Sequence, residues 1–72
     1  MNDVNIYFGN ILRKFRESKK MTQEEFAEAC DISSSYYGRI ERGEYNTTIV
    51  VCKKISDFLG IRIADLFTDM PI

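Results

Sequence analysis

The stretch Met21-Thr22-Gln23-Glu24-Glu25-Phe26 leaves this chain few local options. Thr22 and Glu25 form a capping box, in which the Thr22 hydroxyl accepts from the Glu25 amide and the Glu25 carboxylate reaches back to the Thr22 amide. Met21 before the cap and Phe26 inside it make the accompanying hydrophobic staple, so a helix begins at Gln23 with Phe26, Ala27 and Cys30 on its inner face. Ser33 is the next N-cap, and Ile32 and Tyr37 repeat the staple around it. A further helix therefore starts three or four residues after the previous one ends and runs through Tyr37 and Ile40 to Gly43, a left-handed stop.

The remaining periodicity is also helical. Phe8, Leu12 and Phe15, widened by Ile11, give an amphipathic helix over residues of about 5 to 19, with Lys19 and Lys20 at its negative end. After a polar loop from Glu44 to Thr47, Thr48 caps a helix carrying Ile49, Cys52, Ile55 and Leu59, which Gly60 closes. The β-branched run Ile49-Val50-Val51 argues for a strand, but the apolar spacing continues to Leu59 with a helical period. A last short helix, about Ile63 to Phe67, carries Leu66 and Phe67 inward, with residue Arg62 where a capping side chain is usual. The expectation is an all-α, five-helix chain of one domain spanning 1–72, with its core over about 5–67 and a tail, 68–72, that is frayed or in dimer contact.

Composition excludes several function classes. The chain has no His, and neither Cys30 nor Cys52 has the paired imidazole of a thiol nucleophile, so an enzyme is not expected. Two isolated thiols cannot assemble a zinc centre, no glycine-rich loop cradles a phosphate, and no cofactor is implied. Cys30 and Cys52 read most simply as small buried apolar residues. No apolar run approaches the roughly 20 residues of a membrane span, and the first residues lack a secretory pattern, so a cytoplasmic protein is expected. A net charge of −1 makes no whole-molecule case for nucleic acid.

Local geometry does make one. Two short helices joined by a tight turn form a helix-turn-helix, which presents the N-terminal residues of its second helix to the major groove. Ser34 and Ser35 follow the cap directly and Arg39 lies one turn beyond Ser35, so all three project outward while Tyr37 and Ile40 point inward. Hydroxyls and an arginine suit base edges, arginine being the best bidentate partner of guanine. Spacing alone leaves open a plainer account, in which the serines favour a helix start and Arg39 is a solvated surface residue.

Further residues carry a resemblance. Phe8-Gly9-Asn10-Ile11-Leu12-Arg13, Met21 to Ala27, Ile32-Ser33, Tyr36 to Gly43, Leu59-Gly60-Ile61 and Asp65-Leu66-Phe67 together resemble the Cro/C1-type (Xre-like) helix-turn-helix family of phage and bacterial repressors. The resemblance implies a lambda-repressor-like DNA-binding fold, with bases faced by Ser34, Ser35 and Arg39. It implies backbone contacts from Thr22, Gln23, Tyr36, Arg42 and Asn46, and an ion pair between Arg16 and Glu41 that ties the first helix to the third. Three departures stand out: Asp31 where the turn often has Gly, Thr47 where the loop often has Pro, and Gly38 inside the third helix, where it either permits close approach to DNA or lets the helix fray.

The function implied is a sequence-specific regulator of double-stranded DNA, a repressor acting as a homodimer on a near-palindromic operator. Ile63, Phe67, Met70 and Ile72 are the expected dimer surface, with core closure an equal alternative for Phe67. Two other readings stay open: an antitoxin of the same fold, and a protein-interaction module that no longer binds DNA. A protein partner, a toxin or an anti-repressor, is a further possibility beside DNA and a second copy of the chain.

Overall fold

Every helix start that the sequence marks with a hydroxyl is capped by that hydroxyl. In a computed structural model that describes residues 3–68, four α-helices follow one another: α1 (Asp3–Ser18), α2 (Gln23–Ala29), α3 (Ser34–Glu41) and α4 (Ile49–Leu59). The Thr22 Oγ1 accepts from the Glu25 amide at 3.1 Å, and the Glu25 Oε1 accepts from the Thr22 amide at 2.8 Å. Ser33 and Thr48 accept from the amides of Tyr36 and Val51 at 3.1 and 3.2 Å. Each cap satisfies an amide that the helix itself leaves unpaired.

The fifth element, Ile63–Phe67, is a 3-10 helix, so the described residues hold four α-helices and not five. The physical reason lies at its start. Arg62 offers no capping acceptor, and the Asp65 carboxylate instead takes the Arg62 amide at 3.0 Å while the Asp65 amide returns to the Arg62 carbonyl at 3.0 Å. That three-residue closure is the tighter helix, and it suits a run of five residues.

Helix ends are less uniform than helix starts. Gly60 ends α4 at φ +71°, and Gly43, at φ +78°, follows α3. A Cβ on Gly43 would also lie 2.9 Å from the Ile6 side chain, so two constraints select glycine there. Asp31, at φ +59°, takes the left-handed turn between α2 and α3 that glycine often supplies, as Asp does at lower cost than most residues. Lys20 does the same after α1, at φ +58°, without a sequence signal for it.

The core gathers Phe8 and Leu12 of α1, Phe26 and Ala27 of α2, Tyr37 and Ile40 of α3, Cys52 and Ile55 of α4, and Leu66 of the 3-10 helix. Phe26 is central, with ring centres 5.2 Å from Tyr37 and 5.5 Å, edge-on, from Phe58. Cys30 and Cys52 are buried free thiols, and burial pushes the Cys30 thiol up to about 11 and raises that of Cys52 as well. Both therefore stay protonated and pack as apolar groups. Phe67 stacks on Phe8 at 5.3 Å and keeps 38% of its surface exposed.

Gly38 is buried inside an unbroken α3. A Cβ there would meet the Arg42 Nη1 at 3.2 Å and the Gln23 Oε1 at 3.3 Å, both ends of flexible side chains. Gly38→Ala is therefore expected to raise stability by up to about 1 kcal/mol through helix propensity. Chemical denaturation would check this, a loss of stability showing that the two side chains cannot move aside.

Candidate nucleic-acid interface

The start of α3 lies beside the start of α2. Ser34 and Ser35 are exposed, and together with Thr22, Gln23, Glu24 and Arg16 they line one open groove. Arg39, one turn further along α3, is exposed too, while Tyr37, Gly38, Ile40 and Glu41 are buried. One side of α3 therefore belongs to the core and the other offers two hydroxyls and a guanidinium to solvent. Among the described residues no hydrogen bond engages the Ser34 or Ser35 hydroxyl. The Thr22 hydroxyl accepts as a cap, which leaves its proton available for donation.

The angle of α3 is fixed from beneath. Arg16 forks onto Glu41, its Nη2 2.8 Å from Oε1 and its Nε 3.0 Å from Oε2, so α1 is clamped to the last residue of α3. The remaining Arg16 nitrogen, Nη1, donates to the Met21 carbonyl at 2.8 Å and ties in the segment before α2. Gln23 Nε2 donates to Glu41 Oε1 at 3.1 Å, so α2 joins the same carboxylate. The Glu41 side chain is 3% exposed and that of Arg16 14%. Burial by itself would raise the Glu41 pKa, but the hydrogen bonds from Arg16 and Gln23 outweigh it and hold the carboxyl below its ordinary value. The bond to Glu41 correspondingly raises the Arg16 guanidinium.

Gln23 thus belongs to this scaffold as well as to the surface, and a substitution there alters both. The other expected backbone-contacting residues also have intramolecular partners. Arg42 pairs with Glu44 at 2.8 Å, an exposed pair worth little to stability. The half-buried Tyr36 donates from its hydroxyl to the Asn46 carbonyl at 3.4 Å, and the Asn46 Oδ1 accepts from Asn5 Nδ2 at 2.6 Å. Arg39 donates from Nη1 to the Tyr45 hydroxyl at 2.8 Å.

Asn5 carries no sequence signal for this surface, and a lone aromatic in the polar loop is the one clue to Tyr45. Of the expected dimer residues, Ile63 is half-buried against the core, Phe67 is partly exposed, and Met70 and Ile72 lie outside the described residues. Ile49 and Val50, at the start of α4, are the most exposed large hydrophobic residues described, at 69% and 60%.

Comparison with known proteins places the fold in a family. The helix-turn-helix family model matches residues 12–66. Control protein C.MunI of a Mycoplasma species is 45% identical over 71 residues, covering 97% of this chain and 96% of that protein. Control protein C.BamHI of Bacillus amyloliquefaciens is 39% identical over 66 residues, covering 90% and 82%. Among solved structures, the restriction-modification controller protein C.AhdI from Aeromonas hydrophila superposes with a TM-score of 0.86 at 33% identity, covering 92% of this chain and 100% of that one. A family model spanning most of the sequence, together with relatives similar over nearly their whole length, establishes that the chain belongs to the Cro/C1-type helix-turn-helix family of transcriptional regulators.

Proposed function

We propose that the 72 residues act as one DNA-binding unit, a cytoplasmic repressor that recognises a near-palindromic operator as a homodimer with α3 in the major groove. The observation that carries this reading is the outward face of α3, where Ser34, Ser35 and Arg39 are exposed together above a buried clamp. In the proposal these three read bases, and Thr22, Gln23, Tyr36, Arg42 and Asn46 lie along the phosphates. A single recognition helix reads too few base pairs for useful specificity, whereas two related by a twofold axis about 34–36 Å apart read two half-sites. Phe67, Ile63, Met70 and Ile72 would supply the contact between protomers, with the exposed Ile49 and Val50 as further apolar surface. No helix among the described residues is long and apolar enough to cross a membrane.

Similarity over nearly the whole chain to proteins named control proteins favours a regulator of that kind over an antitoxin. The experiment that tests the proposal is selection from random duplexes by the purified protein at low salt. Enrichment of two related half-sites about one helical turn apart is expected. Failure to enrich any sequence would support a protein-interaction module, and enrichment of a lone half-site would remove the homodimer.

Salt dependence gives a second check. With a net charge of −1, the chain relies on local phosphate contacts. If a dimer neutralises roughly eight phosphates, log K should fall with log salt at a slope near about −7. A slope close to zero in a salt titration would contradict a phosphate-anchored complex.

A further inference from the structure

We infer that Tyr45 is a positioning residue for Arg39 and thereby sets specificity at the base pair Arg39 faces, an inference that rests on the reading of Arg39 as a base contact. Arg39 Nη1 donates to the Tyr45 hydroxyl at 2.8 Å, and the guanidinium carbon lies 5.1 Å from the centre of the Tyr45 ring. The tyrosine is held in turn. Its ring packs on Tyr36 with centres 6.0 Å apart. On one side of it the Glu44 amide donates to the Arg39 carbonyl at 2.9 Å, and the Glu44 carboxylate is paired with Arg42. On the other side Asn46 is bonded through its carbonyl to Tyr36 and through its side chain to Asn5 of α1. The loop is thus tied on both flanks, and Tyr45 is a fixed post against which Arg39 leans.

A free arginine samples many rotamers, and freezing them on binding opposes association. An arginine already held against a post loses less. The bond to Tyr45 uses one of the five guanidinium N–H groups, which leaves an adjacent pair of donors for the bidentate contact with guanine. Among the described residues no carboxylate is ion-paired with Arg39; the Glu44 carboxylate feels its charge but is paired with Arg42. Tyr45 thereby acts through Arg39, without touching the base itself.

Tyr45→Phe keeps the ring and removes the hydroxyl. Its binding is measured on the selected site and on each single base-pair variant, beside Arg39→Ala and the double variant, with thermal unfolding as a check on folding. Tyr45→Phe is expected to weaken the selected site by about 5- to 10-fold. It should leave unchanged the binding of the duplex altered at the Arg39 pair, and have no further effect once Arg39 is alanine. Equal weakening on every duplex, tighter binding, no effect, or a loss that adds to that of Arg39→Ala would each overturn the inference. If Arg39→Ala itself weakens all duplexes alike, the fault lies in the base-contact reading beneath it, so the two failures are told apart by the single variants.

Discussion

Replacing Glu41 by alanine is expected to destabilise the protein by about 3–5 kcal/mol, the usual cost of removing one partner from a buried ion pair. The reason is Arg16, which would keep its charge under cover with no carboxylate to meet two of its nitrogens. Gln23 would lose its acceptor at the same time. A chain of this size has a total stability of roughly 4–11 kcal/mol, so the loss would take a large share of it. Arg16→Met together with Glu41→Leu should be less damaging than Glu41→Ala alone, because no stranded charge remains, although the Met21 carbonyl then loses its donor. Thermal or urea unfolding of the two variants beside the parent protein checks the order. The same carboxyl sets an acid dependence. Its folded pKa lies below the ordinary value, so its contribution is complete above the usual carboxylate range and is lost as pH falls through the folded value.

Gly9→Ala should cost about 3 kcal/mol, and for a different reason. A Cβ at Gly9 would overlap the Glu41 carbonyl oxygen and stand 2.8 Å from both the Glu41 carbonyl carbon and the Ile40 carbonyl oxygen. These neighbours are backbone atoms of α3, so nothing can swing aside as the side chains around Gly38 can. Either α1 withdraws or α3 tilts, and both disturb the Arg16–Glu41 clamp. Unfolding measurements should show the loss, and affinity for the selected duplex should fall with it. A Gly9→Ala protein of unchanged stability would mean that α1 and α3 are not packed this closely.

Helix starts were legible in the sequence because their chemistry is local: Thr22 with Glu25, Ser33 and Thr48 each need just three residues of context. The outward setting of Ser34, Ser35 and Arg39 followed from helical periodicity once α3 was placed. Other features depend on chain paths that no local pattern reports. Gly9 matters because α3 crosses it, and Tyr45 matters because the loop after α3 folds back over Arg39. Lys20 adopts a left-handed conformation against its own preference, and the Met21 amide then closes the end of α1 on the Arg16 carbonyl at 3.3 Å. The short fifth helix was placed correctly but winds more tightly than expected, because Asp65 closes onto the Arg62 amide.

The central claim is that the outer face of α3 reads base edges, and Arg39 tests it most directly. Binding of Arg39→Ala to the selected site and to every single base-pair variant of it should show a loss of about 1–3 kcal/mol confined to duplexes that keep the preferred pair at one position in each half-site. A loss of the same size on every duplex would make Arg39 a phosphate contact and contradict the account.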